Sequence, residues 1–339
     1  YPVKSSQMAT LIYLSIVGGL YFTAYTLVAA PYYALIPDLA TNKEERLNLS
    51  TMQSTFRLIF TGVAMVLPGI LISKLGMVNG VMNTEVGIRK TVILITILSV
   101  LGIYACVFFL KEKQLTQNRP KTESLGFMKS VSHLKDKEII LYFLGYFFFF
   151  CGFNILRGDL TYYLSAVMQK DIKFLTVISV ILFGMAGLFF PITNKFGKKY
   201  SYKKILIVDM LLLIIGTFGL LFINKNNSIF AYLLFVICGT GLSGAAFIFP
   251  QAMLSEISAK LSETKKVSLE GFMFGIQGMF LKLAFLVQQV VQSTLLVVGN
   301  QNVQNGVKGA TEVGVKVTLV VALVLFGVSL FFYNLKKED

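Results

Sequence analysis

Apolar residues in this chain gather into runs of about twenty, the length that crosses ~30 Å of hydrocarbon. Short polar breaks that carry most of the charge separate them. The runs are continuous rather than alternating, so they predict helices and not the strands of a closed barrel. Nine are expected, over approximately residues 8–36, 49–73, 89–110, 139–167, 173–194, 203–223, 228–254, 268–298 and 314–334. In lipid each run must satisfy its own backbone N–H and C=O groups, which a helix does.

Three runs precede a polar, basic stretch at 111–137, and six follow it. Six spans after a central loop predict six before it if the protein arose by duplication. The expectation is therefore an all-α polytopic membrane protein with nine of twelve transmembrane helices present, its first three lost by N-terminal truncation. A first residue of Tyr1 rather than Met fits that expectation. Residues 1–110 are then the remnant of an N-terminal helix bundle. Residues 111–137 are a cytoplasmic loop, with a short amphipathic helix around Leu125–Leu134, and 138–339 are a C-terminal six-helix bundle.

Composition agrees: 55% of residues are hydrophobic, 14% are charged and the mean hydropathy is +0.71. A soluble domain carries roughly 25% charged residues. The net charge of +14 raises nucleic acid as a partner, and its distribution excludes it. The breaks at 37–48, 111–137, 195–204 and 255–267, with the C-terminal tail, hold 19 of the 31 Lys and Arg, against 9 in the breaks between them. That bias places the first set, and the C-terminus, in the cytoplasm of a multi-pass protein of the plasma or inner membrane. No cleavable signal peptide is visible.

Catalytic chemistry is not in evidence. His133, the single histidine, lies in the basic loop, and neither a phosphate-cradling GxxxxGK[ST] loop nor an HExxH motif occurs. Cys106, Cys151 and Cys238 lie in apolar runs without metal or disulfide spacing. The expectation is a monomer that is not an enzyme and has no metal or organic cofactor.

Ionisable groups inside spans cost roughly 2.5–3.5 kcal/mol each on insertion scales, so each is a functional candidate. Lys282 is near the middle of its span, with Gly271, Gly275, Gly278 and Gln289 within about 60° of it on a helical projection. Either this face lines a polar cavity, with a counter-charge on another helix, or it is a GxxxG packing seam with a snorkelling lysine. Arg157 and Asp159 flank Gly158. At i and i+2 they point apart on an unbroken helix, so they face different partners unless Gly158 breaks the helix and turns both toward a cavity. Asn154 precedes them on the same span. Tyr162 and Tyr163 read as an interfacial belt or a sugar-stacking platform, and Phe147–Phe150 is expected to face lipid. Arg57 lies two turns into its span, and Asp209 is expected to pair with Lys203 or Lys204.

Three segments resemble the glycoside–pentoside–hexuronide:cation symporter branch of the major facilitator superfamily, to which the melibiose permease belongs. Tyr25-Thr26-Leu27-Val28-Ala29-Ala30-Pro31-Tyr32-Tyr33-Ala34-Leu35-Ile36-Pro37, followed by Glu44-Glu45-Arg46-Leu47-Asn48, is similar to that branch's fourth helix and its "YT…P…ER" signature. Asn194-Lys195-Phe196-Gly197-Lys198-Lys199 resembles the loop motif between helices eight and nine. Met253-Leu254-Ser255-Glu256, then Glu270-Gly271, Gln277 and Lys282, resembles the run across helices ten and eleven. The resemblance implies a twelve-helix, two-bundle fold working by alternating access. It puts Lys282 at the cavity lysine, Thr26 at a cation-site threonine and Tyr33 at an aromatic sugar contact. Gln277 joins the cavity candidates, and Gly197, Glu256 and Asp209 are structural or gating candidates. The chain departs from the pattern at Ala29, where sugar symporters carry an acid, and at Gln53 and Ser54, where they carry an arginine that Arg57 follows by a turn. The expected function is secondary transport of a sugar or glycoside with Na+ or H+ as the coupling ion. The alternatives are a lysolipid or other amphiphile as cargo, or a non-transporting membrane sensor or assembly protein. With half of one bundle absent, the chain alone is not expected to transport.

Overall fold

The computed structural model describes residues 6–40, 42–78, 81–109, 136–170, 174–265, 269–299 and 309–336. The expected amphipathic helix at 125–134, His133 and nearly all of the basic central loop lie outside these residues. Helix α1 spans Gln7–Ala34, a short α2 Ile36–Leu39, α3 Lys43–Leu75 and α4 Thr84–Phe109. A ladder of two residues per strand, β1 Met77–Val78 against β2 Val81–Met82, joins α3 to α4. Helices α5 Lys137–Tyr162, α6 Phe174–Lys199 and α7 Tyr202–Leu220 follow. Then come α8 Ile229–Leu242, α9 Phe249–Lys265, α10 Glu270–Leu295 and α11 Glu312–Leu335. A π-helical turn, Tyr163–Val167, extends α5, and another, Ser243–Ile248, fuses α8 to α9.

Among the described residues, eight helices are long and apolar enough to cross a membrane. The ninth expected span corresponds to α7, where Lys203, Lys204 and Asp209 share 19 residues. Start signals are local: Asn42 Oδ1 accepts from Glu45 N, Asp136 Oδ1 from Glu138 N and Thr311 Oγ1 from Gly314 N, each within 2.9 Å. These side chains satisfy amides that a helix leaves unpaired at its start. Several helices outrun the apolar pattern. α3 begins at Lys43 rather than 49, α6 runs to Lys199 rather than 194, and α9 continues to Lys265 through a stretch expected to be loop. Apolar length marks depth in hydrocarbon, whereas the helix ends where capping and propensity end it.

The contacts divide the chain into two compact units, residues 1–51 with 122–339 and residues 52–121. In the second, Gly87 of α4 lets the helix close on the end of α3, since a Cβ there would lie 2.5 Å from the Ile72 carbonyl oxygen. In the first, α5 is the central member and packs chiefly on α11 and α10, while α8 packs on α7 and α6. Lipid tails are as apolar as leucine, so small residues that admit close approach do the work of association. Gly145 and Gly152 lie under the rings of Tyr333 and Phe326 of α11. The Ser329 hydroxyl donates to the Gly145 carbonyl at 2.7 Å.

That burial corrects the expectation for Phe147–Phe150. Phe149 and Phe150 are buried, with Phe149 packed on Phe326 at 5.8 Å between centroids, while Phe147 and Phe148 are half-buried. Four consecutive helical residues sweep most of a turn, and α5 has neighbours on more than one side.

Two glycines separate packing from mere sequence pattern. A Cβ at Gly241 of α8 would lie 2.3 Å from the Asp209 carbonyl oxygen, and at Gly271 of α10 it meets nothing within 4 Å. Gly241→Ala is expected to cost about 1–3 kcal/mol through overpacking. The thermal unfolding midpoint of purified protein in detergent should fall for Gly241→Ala and hold or rise slightly for Gly271→Ala.

Candidate functional site

Lys282 points across from α10 to α1. Its ammonium donates to the Phe22 carbonyl at 2.9 Å and to the Thr26 hydroxyl, and lies 6.0 Å from the Phe22 ring centroid. The Thr26 hydroxyl in turn donates to the Phe22 carbonyl at 2.7 Å. A hydroxyl both donates and accepts, so one threonine closes this triangle. No carboxylate among the described residues bonds to Lys282, so the counter-charge expected on another helix is replaced here by neutral oxygens.

A Cβ at Gly271, Gly275 or Gly278 would meet nothing within 4 Å, so these glycines do not form the packing seam that their spacing allows. They leave one face of α10 open beside the lysine. Two turns before Lys282, Phe274 stacks on Tyr33 of α1 at 6.3 Å and 22°. The structure thus brings Lys282, Thr26 and Tyr33 onto one α1–α10 contact.

Gln277 faces the other way and is buried. Its amide donates to the Tyr142 hydroxyl at 2.7 Å and to the Pro250 carbonyl at 3.2 Å, and Tyr142 donates to the same carbonyl at 2.7 Å. These bonds knot α10 to α5 and to the start of α9.

Arg157 and Asp159 part company, as their spacing on an unbroken helix requires. Residues 137–162 are continuously helical, so Gly158 is no break; the irregular turn begins at Tyr163. Arg157 is exposed, 5.8 Å above the Phe285 ring, while Asp159 is 1% exposed. Gln292 of α10 donates to Asp159 Oδ1 at 2.8 Å. Asn154 is buried nearby on the same helix, with its Nδ2 unbonded among the described residues. Tyr163 is neither belt nor platform: it is buried, with its hydroxyl on the Leu220 carbonyl at 2.8 Å, while Tyr162 is exposed. Lys282, Arg157 and Asp159 therefore occupy three separate environments. Arg57 is half-buried on α3 in the other unit.

Asp209 does not pair with Lys203. That lysine donates to the carbonyls of Asn334 and Lys336, whereas the carboxylate is 6% exposed and lies against the backbone of Gly244. Gly244 and Gly241 have no Cβ to hold α8 off α7, so the acid is drawn into the helix contact instead of toward the loop.

A second cluster was hidden in the sequence. Lys198 pairs with Glu44 at 2.8 Å, and Glu256 sits between Lys43 at 3.6 Å and Lys260 at 3.4 Å. The Tyr202 hydroxyl donates to the Lys43 carbonyl, and Asn194 Nδ2 donates to Thr51 Oγ1 at 2.7 Å and Asn48 Oδ1 at 3.2 Å. Gly197 is closed over by Leu47, whose Cδ2 would be 2.9 Å from an added Cβ. A cavity of about 350 Å³ lies among Lys43, Glu44, Leu47, Gly197, Lys198 and Tyr202. The three motif segments quoted above, far apart in sequence, meet here. Exposed ion pairs contribute at most about 1 kcal/mol each, which bounds Glu44–Lys198, whereas Glu256 is buried between its two lysines.

A family model described as MFS/sugar transport protein matches residues 1–337. No curated protein matches the chain.

The Gln277 knot separates a packing role from a cavity role. Tyr142→Phe removes one hydroxyl and leaves a buried amide and carbonyl short of a partner, at a cost of about 1–3 kcal/mol. A lower unfolding midpoint in detergent is expected, with no change for Tyr162→Phe.

Proposed function

We propose, from the premise that this chain belongs to the MFS/sugar transport protein family, that it carries a sugar or glycoside in symport with a cation. The family is one of secondary transporters and not of enzymes, and the protein is a multi-pass integral membrane protein that carries a small molecule. Sugar as cargo, cation coupling, alternating access, monomeric state and a cytoplasmic C-terminus in the plasma or inner membrane are the finer terms of this reading.

The observation that carries it is the bridge from Lys282 of α10 to Thr26 and Phe22 of α1, beside an open glycine face. An ammonium at mid-span is costly unless it serves a site. Here two neutral oxygens hold it across two helices, and no carboxylate among the described residues neutralises it. An anionic group or a sugar hydroxyl arriving at the open face competes with Thr26 for the same N–H donors. Loss of the Lys282–Thr26 bond frees α1 from α10, and the motif cluster around Glu44, Lys198 and Glu256 forms or breaks as a latch when the helices rock. Occupancy of one site then biases the other.

The test is uptake by liposomes holding the full-length protein, with a glycoside and a lysophospholipid compared under imposed Na+ or proton gradients. Glycoside accumulation that depends on a gradient, and that falls at least ~10-fold in Lys282→Ala, is expected; a tenfold change corresponds to about 1.4 kcal/mol. Accumulation at the native rate by Lys282→Ala sinks the role of the lysine. Uptake of the lysophospholipid alone replaces the cargo.

A further inference from the structure

Away from the Lys282 bridge, α5, α10 and α11 meet at a buried acid to which the reading above gives no task. Asp159 is 1% exposed. Gly158 beside it leaves room for two glutamine amides: an added Cβ would lie 2.3 Å from Gln292 Nε2 and 2.7 Å from Gln288 Nε2. Gln288 donates to Gln292 Oε1 at 2.7 Å, which turns the Gln292 nitrogen onto Asp159 Oδ1 at 2.8 Å. Asp159 Oδ2 is buried and has no hydrogen-bond partner among the described residues.

The groups facing this carboxyl do not neutralise it. On its own helix, Arg157 is turned out over Phe285, and the Tyr163 hydroxyl is bound to the Leu220 carbonyl. From α10 come Gln288 and Gln292, which do not titrate. From α11 comes Thr318, whose hydroxyl donates to the Val315 carbonyl at 2.8 Å, and the ionisable residues of its first turns, Glu312 and Lys316, pair with each other at 2.7 Å. α6 carries Lys195, Lys198 and Lys199 at its far end. A buried carboxylate whose Oδ2 has no hydrogen-bond partner among the described residues is poorly held as an anion. A hard cation would require several oxygen ligands, and the Gln292 amide oxygen is turned to Gln288. A proton requires one lone pair.

We propose that Asp159 is a proton-binding site, filled at Oδ2 while α5, α10 and α11 are packed around it and emptied when that packing opens to water. The step is a proton transfer without redox change: hydronium gives its proton to Oδ2, forming the O–H bond and leaving water. On opening, that bond breaks to a water molecule. This rests on the cation-coupled reading only in making a proton the coupling ion; binding itself is independent of cargo.

The experiment is an infrared pH titration of the full-length protein in lipid nanodiscs, without sugar, so that the solvent proton is the only probe. A carbonyl band of a protonated carboxyl is expected, shifting on exchange into D2O and absent from Asp159→Asn. Gln292→Leu removes a donor that favours the anion, so its band should persist to a higher pH. A spectrum of folded Asp159→Asn that keeps the whole band overturns the proposal, as does a Gln292→Leu titration identical to wild type. Where Asp159→Asn does not fold, the Gln292→Leu titration decides alone. Failure of glycoside uptake leaves this band in place, and absence of the band leaves uptake possible, so the two readings fail separately.

Discussion

At membrane depth a hydroxyl, an amide or a carboxyl has no bulk water to turn to, so its partner must be another part of the chain. α5 meets that demand at three levels. Tyr142 reaches the Pro250 carbonyl, the Gly145 carbonyl receives Ser329, and Asp159 receives Gln292. These bonds tie α5 to α9, α11 and α10 in turn. Glycines at 145, 152 and 158 keep the neighbours close enough to make them. The remaining helices of that unit arrange themselves around a strut that commits these three groups and leaves Asn154 Nδ2 and Asp159 Oδ2 without a partner among the described residues.

Against that strut, the contacts of α1 and the start of α3 are of a different kind. Lys282 holds α1 through two neutral oxygens beside an open face, the Glu44–Lys198 pair lies at exposed helix ends, and Lys43 reaches the buried Glu256. An exposed pair such as Glu44–Lys198 is individually weak and exchanges readily with water. The Phe149–Phe326 contact and the glycines at 145 and 152, which close α5 on α11, resist separation by contrast. That unit therefore combines closely packed helices with helices that polar bonds also join.

Much of the architecture was legible in the apolar pattern, because depth in hydrocarbon dictates run length and the cost of charge clears the runs of Lys and Glu. The site was legible in part. Lys282, Thr26 and Tyr33 stood out through a mid-span charge and through the family resemblance, and the structure joins them. Asp209 was read toward loop lysines because sequence proximity suggested it. Whether a carboxylate meets a lysine or a glycine backbone depends on how α7 and α8 cross. Glu44 and Lys198 belong to motif segments far apart in sequence and nothing local signals that they pair, whereas Glu256 has Lys260 one turn further along its helix.

By itself, then, the sequence determined that the chain crosses a membrane as helices, where most of those helices lie, and which charges require an explanation. These follow from the solvent and from the helical period, which act on each segment alone. Tertiary structure decided which of those charges meet. It set Arg157 outward and Asp159 inward, turned Gln277 into a knot, and left Gly271, Gly275 and Gly278 open rather than packed. Those outcomes depend on the rotation and crossing of neighbouring helices, which many distant side chains set together and no single segment encodes.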